Sequence, residues 1–257
     1  MKPVTYKYNA DDDAITAWNR NFTSRIGDGT GDPEEAYLST IRLIARCKPD
    51  SVFLDIGCGL GRLIDIVKNI TPNIIALEPD KTRFQDCFDH HHDGFKIQVL
   101  NIGSSDFILD NPGRRFDFIA VSMVLQHVST RICDQICSDV FELLAPKGVA
   151  IIATTLQDQE RFGFQSKSTP QAIEVFDRYA EDSKGQEWGI PVRQFSKLSF
   201  FSMLQRAKLN VAEWGQFSYI RPEKLGWMAA NCMHTKPEAI ANLGTSQFAV
   251  VNRGDAA

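Results

Sequence analysis

The chain has 257 residues, long enough for one α/β domain with a substantial core. Hydrophobic residues at 43%, charged residues at 23% and a net charge of −4 describe an ordinary globular protein without a basic field for nucleic acid or anionic membrane. Residues 1–13 lack the apolar core of a secretory signal and no apolar run can span a bilayer, so the expected compartment is the cytoplasm, with neither membrane nor nucleic acid as partner.

The first 32 residues read as an N-terminal cap segment. Tyr6, Tyr8, Trp18 and Phe22 are followed by SRIGDGTGD, a flexible loop of polar residues and glycines. Residues 33–46 have a helical pattern, with Asp32 as cap and Pro33 in the first turn. An apolar strand at 51–56 breaks into a glycine turn and a helix of about 60–70, ended by Pro72. A strand at Ile74–Leu77, a helix near 80–90 and a third strand at Lys96–Asn101 follow. A fourth strand at Phe116–Val121 leads to a helix over 130–144, and Pro146-Lys147-Gly148 reads as a turn into a fifth strand, Val149–Thr154. This alternation predicts a doubly wound, mostly parallel sheet with helices on both faces.

The alternation lapses over 156–195 and again over 219–243, two irregular insertions whose aromatic content, with no basic surplus, suits a small, partly apolar or aromatic ligand. Between them lie a helix near 196–207 and a strand at Asn210–Phe217, and a last strand covers Gln247–Asn252. The insertions are expected at the carboxyl edge of the sheet, where they would cover a ligand crevice. Six cysteines, at 47, 58, 87, 133, 137 and 232, follow no zinc-type spacing and suit buried free thiols. No metal is expected. His90, His91 and His92 fall at a helix end marked by Gly94 and read as a solvated terminus favoured by the helix dipole.

The strongest local signal is VFLDIGCGLGRL, Val52–Leu63, with Glu78 following the second strand. Gly57, Gly59 and Gly61 let the backbone approach a ligand, and an acid in the position of Glu78 can accept hydrogen bonds from a ribose diol. A dinucleotide fingerprint needs a third glycine where Arg62 stands. The carboxylate of Asp55 would repel a pyrophosphate but suits a cationic amino-acid group.

At D-I-G-C-G-L-G, Asp55–Gly61, the chain resembles the class I S-adenosylmethionine-dependent methyltransferases. The resemblance extends through FDFIAVSMVLQHV and LLAPKGVAIIATT and covers roughly residues 35–155. It implies a single Rossmann-like domain over 1–257, a seven-stranded sheet with its last strand antiparallel, and S-adenosyl-L-methionine as cofactor, leaving S-adenosyl-L-homocysteine as product. By the same resemblance, Asp55, Gly57, Cys58, Gly59 and Gly61 would hold the methionine end, and Glu78 and Pro79 the ribose. The family often carries an acid after the third strand; here Ser104 and Ser105 occupy that stretch, with backbone amides nearby, while Asp106 lies further out. Ser122 and Met123 should meet the cofactor after the fourth strand, and Trp18 or Arg25 can contact it from the cap segment.

His127 and His234 are the candidate proton-transfer residues, His127 having packing as its alternative role. The expected reaction is in-line transfer of methyl to oxygen or nitrogen of a small, partly apolar or aromatic molecule. Two alternatives stand beside it: methylation of a peptide or protein amine, and a catalytically silent cofactor-binding sensor or partner subunit.

Overall fold

The computed structural model describes residues 48–164, 170–181, 191–218 and 245–254. Strands β1 (Phe53–Ile56) and β2 (Ile74–Leu77) are buried at every residue. Their near-continuous apolar composition is what parallel strands covered on both faces require. Helix α1 (Arg62–Val67) joins them, and α2 (Lys81–His91) leads to β3 (Ile97–Leu100). Asp80 caps α2 by accepting from the Arg83 N–H at 2.9 Å, which fixes where that helix leaves the crevice.

Helix α3 (Ser104–Asp110), β4 (Phe116–Ser122), a 3-10 turn at Leu125–His127, and α4 (Thr130–Leu143) come next. β5 (Leu144–Thr155) is longer than the sequence pattern indicates. The Pro146-Lys147-Gly148 step is no separate turn: Leu144 pairs with Phe116, and the register shifts before Phe118 meets Val149. A Cβ at Gly148 would lie 2.6 Å from the Phe116 carbonyl oxygen, so this close approach needs glycine.

The first insertion forms β6 (Arg161–Phe164), α5 (Ile173–Glu181) and β7 (Pro191–Gln194); β6 and β7 pair antiparallel as a separate two-stranded sheet. Then α6 (Lys197–Arg206), β8 (Asn210–Ser218) and β9 (Thr245–Asn252) complete the described elements. The main sheet runs β3-β2-β1-β4-β5-β9-β8, parallel from β3 to β5, with β9 antiparallel to both neighbours. The expected seven-stranded sheet with its last strand reversed is the one observed.

The order reverses between β1 and β4, which opens a crevice at the carboxyl ends of those strands. Two cores flank the sheet. α1 and α2 cover one face through Leu63, Ile64, Val67 and Cys87; α3, α4 and α6 cover the other through Phe107, Ile136, Val140, Phe200 and Leu204. Among the described residues, no helix is long and apolar enough to cross a membrane.

The insertion docks on the start of α4. Ser129 Oγ donates to Glu181 at 2.5 Å, and the Thr130 N–H donates to Asp177 at 2.8 Å. Arg193, 4% exposed, pairs with Glu160 at 2.8 Å and lies over the Phe162 and Phe195 rings. Phe162, Phe164, Phe176 and Tyr179 pack on one another in a small core.

Candidate active site

The glycine turn after β1 is held from two sides. The N–H groups of Gly57 and Cys58 donate to the Leu77 carbonyl at 2.8 and 3.1 Å, tying the turn to the end of β2. Glu78, 3% exposed, then accepts from the Gly59 N–H at one carboxylate oxygen and from the Asp80 N–H at the other, both at 2.9 Å. Burial pushes its pKa up, while the Arg83 charge and these two donors pull it back. Asn101 Nδ2 donates to the Glu78 and Pro79 carbonyls at 2.8 and 3.1 Å, so the loop after β3 is tied to the loop after β2.

Asp55 is 2% exposed, and among the described residues its Oδ2 has no hydrogen-bond partner. Burial, and then the Glu78 charge, raise its pKa from 3.8 to about 7, opposed by Arg62. The repulsion between the two buried acids, only partly offset by Arg62 and Arg83, would be relieved further by a bound cation. Asp55 itself is not among the residues lining the cavity, whose β1 end is formed by Ile56 and Gly57.

The cavity follows the carboxyl ends of the strands. Ile56 and Gly57 line it after β1, Leu77, Glu78 and Pro79 after β2, and Ile102 to Ser105 after β3. Met123 and Val124 close it after β4. Met123 has φ 57°, an uncommon conformation for a non-glycine residue, and its N–H donates to the Ala153 carbonyl at 2.9 Å as the chain turns out of the sheet. Arg83 of α2 and Ile132, Gln135 and Ile136 of α4 complete the lining. Sequence reasoning missed these four, because they sit on helices whose approach to the crevice is set by packing.

Several expected contacts are redirected. Cys58 does not line the cavity: its Sγ lies 3.7 Å from that of Cys87 on α2, so this small side chain fills the space between turn and helix. A Cβ at Gly61 (φ 85°) would come within 2.5 Å of the His91 ring, so helix packing alone requires glycine here. His91 is therefore no solvated helix end. It packs beneath the turn, with burial pushing its pKa down. The three adjacent histidines diverge: His90 Nδ1 lies 2.6 Å from the Asp86 carbonyl, His91 meets Gly61, and His92 Nδ1 accepts from the Val99 N–H at 3.1 Å.

Ser104 and Ser105 do line the cavity, but their hydroxyls are committed, donating to Asp139 Oδ2 at 2.6 and 2.7 Å. Asp106 sits in the first turn of α3. Ser122, the last residue of β4, is not among the lining residues. Trp18, Arg25 and His234 lie outside the described residues, as do Cys47, Cys232, the 33–46 helix and the 219–243 insertion.

His127 departs from the expected general base. It is 4% exposed, and its Nδ1 lies 2.8 Å from the Pro191 carbonyl of β7. Its Nε2 lies 3.1 Å from Gln126 Nε2, which must donate; the ring is then neutral with its proton on Nδ1. Gln126 is itself oriented, donating to the Met123 carbonyl and accepting from Thr154 Oγ1. Burial pushes the His127 pKa down to about 4. These surroundings make His127 a link between the turn after β4 and the insertion.

Two features fit a nucleoside with a cationic tail: among the described residues the buried Asp55 Oδ2 has no partner, and a Cβ added at Gly59 would meet nothing within 4 Å. A family model described as a methyltransferase domain matches residues 33–212. No curated protein matches the sequence. Among solved structures, the cyclopropane synthase MmaA2 from Mycobacterium tuberculosis superposes with a TM-score of 0.59 at 16% identity, over 97% of each chain. The 1,6-didemethyltoxoflavin-N1-methyltransferase of Burkholderia thailandensis, bound to 1,6-didemethyltoxoflavin and S-adenosylhomocysteine, gives 0.57 at 14% identity, over 93% of this chain and 85% of that one. The N-methyltransferase NodS from Bradyrhizobium japonicum gives 0.52 at 15%, over 85% and 94%.

The chain belongs to the methyltransferase-domain family. It is a class I S-adenosylmethionine-dependent methyltransferase, and S-adenosyl-L-methionine is its cofactor.

Proposed function

We propose that the cavity takes the cofactor with its amino-acid end toward Asp55 and the glycine turn, its ribose at Glu78 and its base beyond β3, and that the methyl acceptor is an oxygen or nitrogen of a small, partly apolar or aromatic molecule. The observation that carries the cofactor's placement is the pair of buried acids, Asp55 and Glu78, at the carboxyl ends of adjacent strands. Asp55 supplies the negative charge behind the turn that an ammonium would balance. Glu78, locked in one orientation by the Gly59 and Asp80 amides, presents its remaining lone pairs to a diol.

Bound S-adenosylmethionine supplies a methyl group that is already electrophilic. What this chain adds is position and dryness. Met123 and Val124 form an apolar edge where β4 ends, beside the turn that reaches Gly57: a Cβ on Gly57 would lie 2.5 Å from Val124 Cγ2. Such an edge excludes water and aligns the acceptor for in-line displacement. With His127 buried and neutral, the described residues favour an acceptor atom that is already nucleophilic, or one that loses its proton to water.

The small-molecule reading is supported by the net charge of −4, which offers no general attraction for nucleic acid. It is also supported by the small heteroaromatic ligand named for the Burkholderia enzyme of like fold. The aromatic side chains of the first insertion lend it less than their number suggests, since those in β6 and α5 pack on each other.

The test is calorimetric titration with S-adenosylhomocysteine, followed by a panel of amines, phenols and heteroaromatics assayed for homocysteine-nucleoside release. Binding with turnover on members of the panel is the expected result. Methyl incorporation into basic peptides with none into the panel would overturn the acceptor class, and absence of binding would overturn the cofactor's placement.

A further inference from the structure

We infer that Asp139, from α4, acts as a positioning residue that turns Ser104, Ser105 and Gln135 into a set of hydrogen-bond acceptors reading the exocyclic amine of the cofactor's adenine. This rests on the placement of the cofactor proposed above. With the amino-acid end at β1 and the ribose at Glu78, the base falls at the third stretch of the cavity, after β3. There the lining has two parts. Ile102, Ile132 and Ile136 provide apolar faces suited to a flat heteroaromatic ring, and Ser104, Ser105 and Gln135 provide polar edges.

The acid that this stretch lacks in sequence comes from another element. Asp139 is 4% exposed and accepts three hydrogen bonds: from Ser104 Oγ at 2.6 Å and Ser105 Oγ at 2.7 Å, both on Oδ2, and from Gln135 Nε2 at 2.8 Å on Oδ1. An ionised carboxylate has no proton to give, so each serine must spend its single hydroxyl hydrogen on Asp139. What each serine oxygen has left for a ligand is acceptor capacity alone. The Gln135 amide is oriented by the same bond, which fixes its nitrogen toward Asp139 and leaves its carbonyl oxygen for a donor. One buried carboxylate thus removes the donor option from two hydroxyls that would otherwise bind donor or acceptor indifferently. An amine carrying two hydrogens matches that set; a base edge without one leaves the buried Ser104 oxygen, and the half-buried Ser105 oxygen beside it, without a donor.

The position has a structural logic. Ile132, Ile136, Asp139 and Leu143 recur at helical spacing on one face of α4 and all are buried. The acid therefore sits on the stripe that packs against α3, whose first two residues are the serines.

The test compares S-adenosylhomocysteine with its purine analogue, in which the 6-amino group is replaced by hydrogen and nothing else changes. Dissociation constants are measured by calorimetry on the full chain and on Asp139→Asn, Ser105→Ala and Ser104→Ala. The wild type should prefer the adenosyl compound by about 10- to 100-fold, the range that loss of hydrogen bonds to polarised acceptors supports. In Asp139→Asn the side-chain amide can donate, so a serine can turn its hydrogen toward the ligand, and the preference should fall to within about threefold. Ser105 is half-buried, so Ser105→Ala tests the same point should Asp139→Asn fail to fold, and the same fall is expected. Tight adenosyl binding with a preference unchanged in the folded variants would overturn the proposal while leaving the cofactor's placement intact. If the wild type binds neither compound, both fall together.

Discussion

Replacing Asp55 by asparagine should make the ligand-free protein more stable at alkaline pH while removing its grip on the cofactor. The folded chain holds a proton on Asp55 up to about pH 7, whereas the unfolded chain releases it near 3.8. Between those values the folded state binds more protons than the unfolded state, so stability falls as pH rises through the window. The displacement amounts to about 4 kcal/mol at 1.36 kcal/mol per pKa unit, present in full above pH 7 and absent below 3.8. Asparagine keeps the shape and removes the charge. Thermal unfolding at pH 8 should therefore rise in Asp55→Asn by on the order of 10 °C, taking 2–4 °C per kcal/mol for a domain of this size. At pH 4 the two proteins should unfold within a degree or two of each other. Calorimetry should show S-adenosylhomocysteine affinity reduced by about tenfold or more in the variant, as expected for loss of a charge-assisted partner. Equal unfolding temperatures at pH 8, or a gain that does not change between pH 4 and pH 8, would refute the reasoning.

Glu78→Gln should lower cofactor affinity by roughly 10- to 100-fold, because the amide nitrogen must face either the Gly59 or the Asp80 N–H and one donor loses its acceptor. Titration with S-adenosylhomocysteine reads this directly. Gly59→Ala should separate binding from folding: the φ of 58° costs an alanine about 1–2 kcal/mol, yet its Cβ meets no atom of the described residues within 4 Å. A modest loss in melting temperature with a tenfold or greater loss in affinity is the expected pattern; affinity within twofold of wild type would refute it. For His127, whose pKa falls from 6.5 to about 4, the unfolded chain takes up a proton that the folded chain refuses, so stability is lost as pH drops through that window. His127→Asn should therefore flatten the acid side of the stability profile by about 3 kcal/mol, and the turnover profile should show no His127 limb between pH 6 and 7.

Much of this protein was decided locally. Short runs such as Phe53–Ile56 and Ile74–Leu77, bounded by glycine or proline, have the composition of parallel strands buried on both faces, and the alternation with helices then dictates a doubly wound sheet. The glycine turn and Glu78 were legible for the same reason: both stand at strand ends, where the topology must open a crevice. What the pattern could not carry was direction. Cys58 and Gly61 lie within the cofactor motif yet face α2, because the turn has two sides and only packing assigns them. A buried acid on the apolar stripe of α4 was the available sign of Asp139, but its two serine partners lie 35 and 34 residues away, on a different helix. His127 had the right residue type in the right loop and was taken out of play by the Pro191 carbonyl, 64 residues on. Spacing along the chain determines which elements form and where their ends meet; whether a side chain at such an end faces ligand, helix or insertion is decided by the bodies packed against it, and those arrive from elsewhere in the sequence.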